Sequence, residues 1–341
     1  MPQNNPKDID VPDTPDIPGL AFRMFQGKRD YPAIVNVLEG CKEADQFELT
    51  TTVEGVARSF EHLHNCNPYK DMLFAEMNGE VIGYTQVWWR EEPEGTRNYI
   101  HFAALLPEWR GKGIRRSMLL FNECRAREIA AEHPEGNPHF FQAWADDSEL
   151  HWISLLRRMH YEPVRYYFFM IRSLSEPIPD LPLPEEFKIR PVEPDDYWNI
   201  WRAADEALQD HWGGSDLTDE ILEEWMERPD FNPGLWVVAW DTATNQVAGV
   251  VLSSIDEEEN QEYNRKRAHI GPIGVRRPHR RKGLASALIA QSLKVLKDSG
   301  ITEAVLNADS ENPTGALHLY EKMGFSTAKQ FTTYRKPINS E

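Results

Sequence analysis

The sequence predicts an α/β (α+β) chain made of two tandem copies of one domain, and three observations predict it. A pattern of apolar runs, turns and helical stretches recurs at an offset of about 165 to 170 residues. A proline-spaced segment, Ser175-Glu176-Pro177-Ile178-Pro179-Asp180-Leu181-Pro182-Leu183-Pro184, lies between the copies and reads as an extended linker. The 341 residues are also more than one hydrophobic core usually organises. The expected organisation is a flexible tail over 1–18, a first domain over 19–174, a linker over 175–186 and a second domain over 187–341.

The elements follow in parallel. Ala21-Phe22-Arg23-Met24-Phe25 opens the first copy as a strand, and Phe187-Lys188-Ile189-Arg190-Pro191-Val192 opens the second. Helical stretches follow, Tyr31 to Cys41 and Asp196 to Leu208. Met72 to Glu76, Asn78-Gly79, then Val81 to Tyr84 is an antiparallel hairpin, matched by Leu235 to Ala239, a turn at Thr244-Asn245, and Val247 to Val250. Next, a strand feeds a basic glycine turn and a helix. The first copy has Ile100 to Leu105, Arg110-Gly111-Lys112-Gly113 and a helix from Ile114 to about Ala130. The second has His269 to Val275, Arg280 to Gly283 and a helix from Leu284 to about Lys297, with an amphipathic stripe at Ala285, Leu288, Ile289, Ser292 and Leu296.

Composition narrows the partners. Asp and Glu outnumber Lys and Arg by 55 to 37, a formal charge of −18, which argues against nucleic acid and anionic membrane as partners. Apolar runs fall short of the ~20 residues of a membrane span, and Met1 to Pro18 lacks the apolar stretch of a signal peptide. Cys41, Cys66 and Cys124 are odd in number and lack metal-type spacing, so neither a disulfide framework nor a zinc site is expected. A reducing, cytoplasmic setting is the expectation, as monomer or homodimer.

The chemistry concentrates in the second copy. Arg276, Arg277, Arg280, Arg281 and Lys282 place five cations just before a helix start in an acidic chain. Helix N-termini present unpaired N–H groups and a dipole that favours anions, and Gly283 and Ala285 are small enough to let a diphosphate approach. Alone, the R-x-x-G-x-A pattern fits a solvated basic loop equally well. A second segment adds to it. Ala304-Val305-Leu306-Asn307-Ala308 reads as a strand, followed by Asn312-Pro313, with Asn as cap and Pro at the first helical position, and by a helix from Thr314 to Met323 closed by Gly324-Phe325.

The two segments together resemble the GNAT superfamily of N-acetyltransferases. The first matches its strand, R/Q-x-x-G-x-G/A, helix motif; the second matches an Asn followed by A-x-x-L-Y-x-x-x-G-F, here Asn312 and Ala316 to Phe325. The tandem arrangement is similar to that of the mycothiol synthase type, which acetylates the cysteinyl amine of a sugar-linked thiol. The resemblance implies two mixed, bent sheets flanked by helices and splayed where acetyl-CoA enters. It implies that Ile273, Gly274 and Val275 pair with the pantetheine arm. It further implies that amides from Arg281 through Lys282, Gly283, Leu284 and Ala285 to Ser286 hold the pyrophosphate, with Arg280 in the same motif. Asn312 would contact the cofactor and Tyr320 would stand near the thioester sulfur.

The implied reaction is direct attack by a primary amine of a small molecule. An alkylamine with a pKa of about 10 must lose a proton before it attacks, and a strand N–H would stabilise the oxyanion. Tyr320 is the candidate acid for the departing thiolate, although a core tyrosine fits its position too. His269 is the nominated base, at a place where several relatives carry glutamate, although it could simply fill the strand. His211 and the run Asp256-Glu257-Glu258-Glu259 are further candidates, the run also reading as a solvated hairpin loop. Asp210 to Gly214 reads as a shaped lid or a tight turn.

The first copy keeps Arg110, Lys112 and Gly113 but carries Arg115 where Gly or Ala is expected. Leu156 stands opposite Tyr320, Ser148 opposite Asn312, and His160-Tyr161 replaces Gly324-Phe325. This copy therefore reads as the same fold without catalysis, with CoA binding left open. Cys124 reads as an apolar filler, and Tyr166 to Met170 as either core or interface. A non-catalytic acyl-CoA sensor is the alternative to an enzyme.

Overall fold

The computed structural model describes residues 9–48, 50–134, 136–214, 217–312 and 315–339. The chain forms two compact units: Met1–Arg165 together with Phe331–Glu341, and Tyr166–Gln330. Each unit thus takes its closing strand from the other half of the sequence.

The first unit contains β1 (Leu20–Met24), α1 (Tyr31–Asp45), α2 (Val53–Glu61), α3 (Pro68–Asp71), β2 (Met72–Met77), β3 (Glu80–Glu91), β4 (Arg97–Leu105), α4 (Ile114–Ala130), β5 (His139–Asp146) and α5 (Leu150–Arg158). β1 to β4 are antiparallel neighbours. The β2–β3 turn is Asn78-Gly79, both at positive φ, as a two-residue hairpin loop requires. α4 carries the chain back so that β5 lies parallel to β4, and Phe331–Pro337 then pairs antiparallel with β5. Apolar clusters cover both faces of the sheet, one with Met118, Leu119 and Trp152, the other with Phe25, Val37 and Phe74.

The expected flexible tail differs over its described part, residues 9–18. Val11 is 3% exposed within the first cluster, with Ile9 and Ile17 against it. Met1–Asp8 lie outside the described residues. Cys124 is exposed, so it fills no core.

β6 (Glu162–Ser173) runs from the first unit into the second. The second unit continues with β7 (Phe187–Ile189), α6 (Tyr197–Leu208), α7 (Asp219–Met226), β8 (Val237–Asp241), β9 (Val247–Ser254), α8 (Glu257–Glu262), β10 (Arg267–Val275), α9 (Leu284–Asp298), β11 (Glu303–Asp309), α10 (Ala316–Lys322) and the start of β12 (Ser326–Pro337). β7 to β10 are antiparallel neighbours, β11 is parallel to β10, and Tyr167–Ser173 of β6 closes the sheet antiparallel to β11. Tyr166 to Met170, read from sequence as core or interface, therefore enters this sheet, and Met170 is fully buried.

Successive strand residues point to opposite faces. Val251 of β9 packs into the cluster with Leu288 and Leu293 of α9, whereas Val250 and Leu252 pack with Trp201 of α6 and Trp225 of α7. A strand covered on both faces needs apolar residues at nearly every position, and Val247–Ser253 supplies them. Each fully buried large aliphatic chain contributes about 1.5–3 kcal/mol.

Two local expectations change. The acidic run is no hairpin loop but α8, capped by Asp256, whose carboxylate accepts the Glu259 N–H at 2.8 Å. α10 starts at Ala316 behind Gly315, which is left-handed at φ 76°, so Asn312 is not its cap. Pro313 and Thr314 lie outside the described residues.

Candidate active site

The site begins where two parallel strands part. β10 pairs with β11 only from Arg267 to His269. Its register with β9 shifts between Ile270 and Ile273, around Gly271-Pro272. From Ile270 onward the β11-facing edge of β10 is open, while β11 continues to pair with β6 through Asp309. The splay is thus written in the hydrogen bonds.

β10 leads into a turn that presents the start of α9. Arg281 and Gly283 both adopt left-handed backbone, φ 63° and 80°. The first helical bond recorded there is from Ala287 N–H to the Gly283 carbonyl at 3.1 Å, so the N–H groups of Leu284, Ala285 and Ser286 precede the helical ladder. A Cβ built on Gly283 meets nothing within 4 Å among the described residues.

Most of the basic charge around the turn is already paired. Arg276 contacts Glu206 at 2.8 Å, and Lys282 contacts Glu186 at 3.1 Å. Arg277 and Arg280 converge on Asp210 at 2.5 Å each, and their hydrogen bonds hold the Asp210 carboxyl well below the usual carboxylate range. Arg280 also donates to the Val275 carbonyl at 2.9 Å and to the Ala207 carbonyl at 3.1 Å, so it stitches the end of α6 onto the turn. Gly274 makes room for that approach, since a Cβ there would lie 2.8 Å from Ala207 Cβ. Among the described residues, Arg281 alone of the five cations makes no ion pair. A left-handed arginine costs roughly 1–2 kcal/mol relative to glycine, so its charge is held at the turn against local backbone preference.

The open edge of β10, the start of α9 and the end of α6 enclose a cleft of ≈ 600 Å³. Ile273, Gly274, Val275, Arg280, Arg281, Gly283, Leu284, Ala285, Ser286 and Tyr320 all line it. Sequence reading missed Ala207, Leu208, Ala316 and Leu319 on its walls; their apolar character signals only packing. Tyr320 on α10 is 8% exposed, with Phe325 edge-on at 6.4 Å. Burial pushes its phenol up to about 12, so it stays protonated.

Lys282 and Asn312 are not part of the lining of this cleft. Lys282 faces outward to Glu186. The Asn312 side-chain nitrogen is 3.2 Å from His211 Nε2, and His211 lines the cleft. Burial lowers the His211 pKa, with Arg280 acting in the same direction and Asp309 and Asp210 opposing. The 210–214 segment forms turns, with the His211 N–H on the Leu208 carbonyl and the Gly214 N–H on that of His211.

His269, earlier on β10, lines neither this cleft nor the second cavity described below. It stands in register with Ser254, and its Nε2 is 3.5 Å from Glu259 Oε1. Glu259 is 8% exposed. Burial would raise its carboxyl, but hydrogen bonds from His269 and Arg265 outweigh this and hold it below its ordinary value. Ser254 also lines a second cavity of ≈ 250 Å³ with Trp201, Trp225, Glu224, Gly271 and Pro272. The bulged Gly271-Pro272 therefore separates the two cavities, with Ile273 in the first.

The acetyltransferase (GNAT) family matches residues 42–133 and 195–325. A mycothiol acetyltransferase of Salinispora tropica is 28% identical over 268 residues, covering 76% of this chain and 78% of that protein. One from Rhodococcus erythropolis is 25% identical over 263 residues, covering 74% and 80%. A GCN5-related N-acetyltransferase structure from Sphaerobacter thermophilus aligns with a TM-score of 0.74 at 25% identity, over 97% of this chain and 98% of that one. A tandem GNAT protein from the clavulanic acid biosynthesis pathway shares the fold at a TM-score of 0.67 and 15% identity, covering 94% and 99%. The splayed sheets, the helix-start turns and these matches agree: the chain belongs to the acetyltransferase (GNAT) family and is a tandem-domain N-acetyltransferase.

Proposed function

We propose that unit 166–330 moves the acetyl group of acetyl-CoA to the primary amine of a small molecule by direct attack. One observation carries the reading: Leu284 to Ser286, whose N–H groups precede the helical ladder, the open edge of Ile273 to Val275 and the Tyr320 side chain share one cleft. The cleft fits the ligand class. A diphosphate suits the helix start and Arg281, the β10 edge offers backbone groups to an amide-bearing arm, and Ala285 leaves space at the first helical turn. When bound, acetyl-CoA supplies the acyl carbon that the amine attacks.

The chain's own groups divide the remaining work. Tyr320 donates a hydrogen bond toward the departing sulfur. Full proton transfer from a phenol at about 12 to a thiolate of about 8.5 would be uphill by roughly 5 kcal/mol, so hydrogen bonding is the larger part of its role. His269, whose register partner Ser254 lines the second cavity, takes the proton from the amine, oriented by Glu259, and that cavity, lined also by Trp201, Trp225 and Glu224, receives the acceptor. His211 is a second reading for the base, favoured by its place in the cleft and its bias toward the neutral imidazole. The relatives' names support an acceptor of the mycothiol precursor type among small amines.

Release of CoA thiol from acetyl-CoA, followed across an amine panel that includes cysteinyl sugars, tests the proposal. Acceptor-dependent release that disappears on altering the 283–286 turn is expected. Turnover unaffected by that turn contradicts it.

A further inference from the structure

The unit of residues 1–165 and 331–341 repeats the same frame and fills it with its own side chains. β4 and β5 pair in parallel only from Arg97 to Ile100, so the edge of β4 opens beyond that point. Arg110 takes the place of Arg280: its Nε donates to the Leu105 carbonyl at 3.0 Å, and its two outer nitrogens both reach the Asp45 carboxylate at 2.6 Å each, where Arg280 divides them between Asp210 and a backbone carbonyl. Gly111 and Gly113 are left-handed, as Arg281 and Gly283 are. The backbone frame of a helix-start site is intact.

Three protein groups occupy it. Arg115, at the position of Ala285, turns inward and is 6% exposed. Its Nε donates to the Ala103 carbonyl at 2.6 Å, on the open edge of β4, where the second unit has Ile273. Its guanidinium lies 4.5 Å from the Trp152 ring centroid and 3.5 Å from Glu149. His151 Nε2 accepts the Gly111 N–H at 3.0 Å, at the turn itself. The N-terminal segment crosses the helix start: the Ser117 hydroxyl donates to the Asp13 carbonyl at 2.7 Å, Arg116 pairs with Asp13, and a Cβ on Gly113 would lie 3.5 Å from the Pro15 ring.

Arg115 is an expensive plug. Its Nη1 is buried with no partner among the described residues, and an unsatisfied buried donor is destabilising compared with an apolar chain of similar volume. Space filling alone does not call for a cation there. The bond from Arg115 to the Ala103 carbonyl gives it the place that a donor on a bound arm would take.

We infer that Arg115 is the group that closes a second, latent CoA-type site in this unit, with His151 and the Asp13–Pro15 segment seated around it. Removing the plug restores binding of a pantetheine diphosphate. The inference rests on the proposed function only in taking CoA as the ligand the frame fits.

Hydrogen exchange on the intact chain with saturating CoA tests it, together with equilibrium dialysis for stoichiometry. The unaltered protein should show protection at 281–286, none at 111–117, and one bound equivalent. Arg115→Ala with Glu149→Gln, which leaves no carboxylate unpaired, should add one equivalent and bring protection to 111–117. CoA protection of 111–117 in the unaltered chain overturns the inference, whether or not the variant folds. So does a variant that keeps its melting transition and gains no equivalent. Absence of protection at 281–286 while the variant gains it at 111–117 would sink the proposed function and leave this inference standing.

Discussion

Arg280 reaches Asp210 at 2.5 Å while donating to the backbone of both α6 and β10, so one side chain sets the height of α6 above the α9 turn. In the other unit Arg110 donates likewise to the strand carbonyl of Leu105 but places both outer nitrogens on Asp45, at the end of α1. The Arg280 pair is partly solvated and contributes about 1 kcal/mol or less, whereas the Arg110–Asp45 pair is buried. Asp210→Asn should lower the melting temperature only slightly but raise KM for acetyl-CoA about 5- to 10-fold, since 1–1.4 kcal/mol of lost positioning has that effect. Asp45→Asn should affect melting alone. Steady-state kinetics beside thermal melts distinguish the two.

Arg281 carries the opposite trade. Its left-handed backbone favours glycine, and Gly111 occupies the matching place. Arg281→Gly should stabilise the protein by about 1 kcal/mol while weakening acetyl-CoA binding about tenfold, the usual value of a charge-assisted contact. Calorimetric melts and acetyl-CoA titrations should move in opposite directions.

Tyr320→Phe keeps the ring and its contact with Phe325 but removes the donor. With the donor acting on the departing sulfur, kcat should fall about 10- to 100-fold while KM for acetyl-CoA changes little. Because burial holds the phenol up near 12, the alkaline limb of the rate profile below pH 11 should survive in the variant. Kinetics over a range of pH check both.

The two histidines separate by kinetics and by stability. If His269 accepts the amine proton, His269→Gln should lower kcat/KM by about 10²-fold or more. His211→Gln should then leave kcat/KM close to that of the unaltered protein. His211 has its own signature in stability. Its folded pKa lies below the unfolded value of about 6.5, so the unfolded state binds more protons and stability declines as pH falls below that value. His211→Gln should flatten this part of the stability profile, measured by denaturant unfolding from pH 7 to 5.

The repeat, the hairpin at Asn78-Gly79 and the start of α9 at Leu284 were legible because local chemistry sets them: turn glycines, strand-like apolar runs and a small-residue helix start. Partners distant in sequence were not. Nothing around Asp210 signals that it answers Arg277 and Arg280, 67 and 70 residues away. The Asn312-Pro313 cap was plausible locally, yet α10 begins three residues later behind Gly315. Val11 is buried without a local sign, since Ile9, Val11 and Ile17 lie among prolines and are too few to set a helical or strand period. Arg115 was conspicuous in sequence, but its inward turn onto Ala103 depends on Trp152 and Glu149, which only the fold brings near.

The central claim is that acetyl-CoA seats at the start of α9, and Ala285→Arg tests it most directly, because it copies into that unit the side chain that closes the other. Isothermal titration of the intact variant with acetyl-CoA should show affinity reduced at least 100-fold, with the melting temperature nearly unchanged and acceptor-dependent thiol release lost. Unaltered affinity and turnover in a folded Ala285→Arg protein would contradict the account.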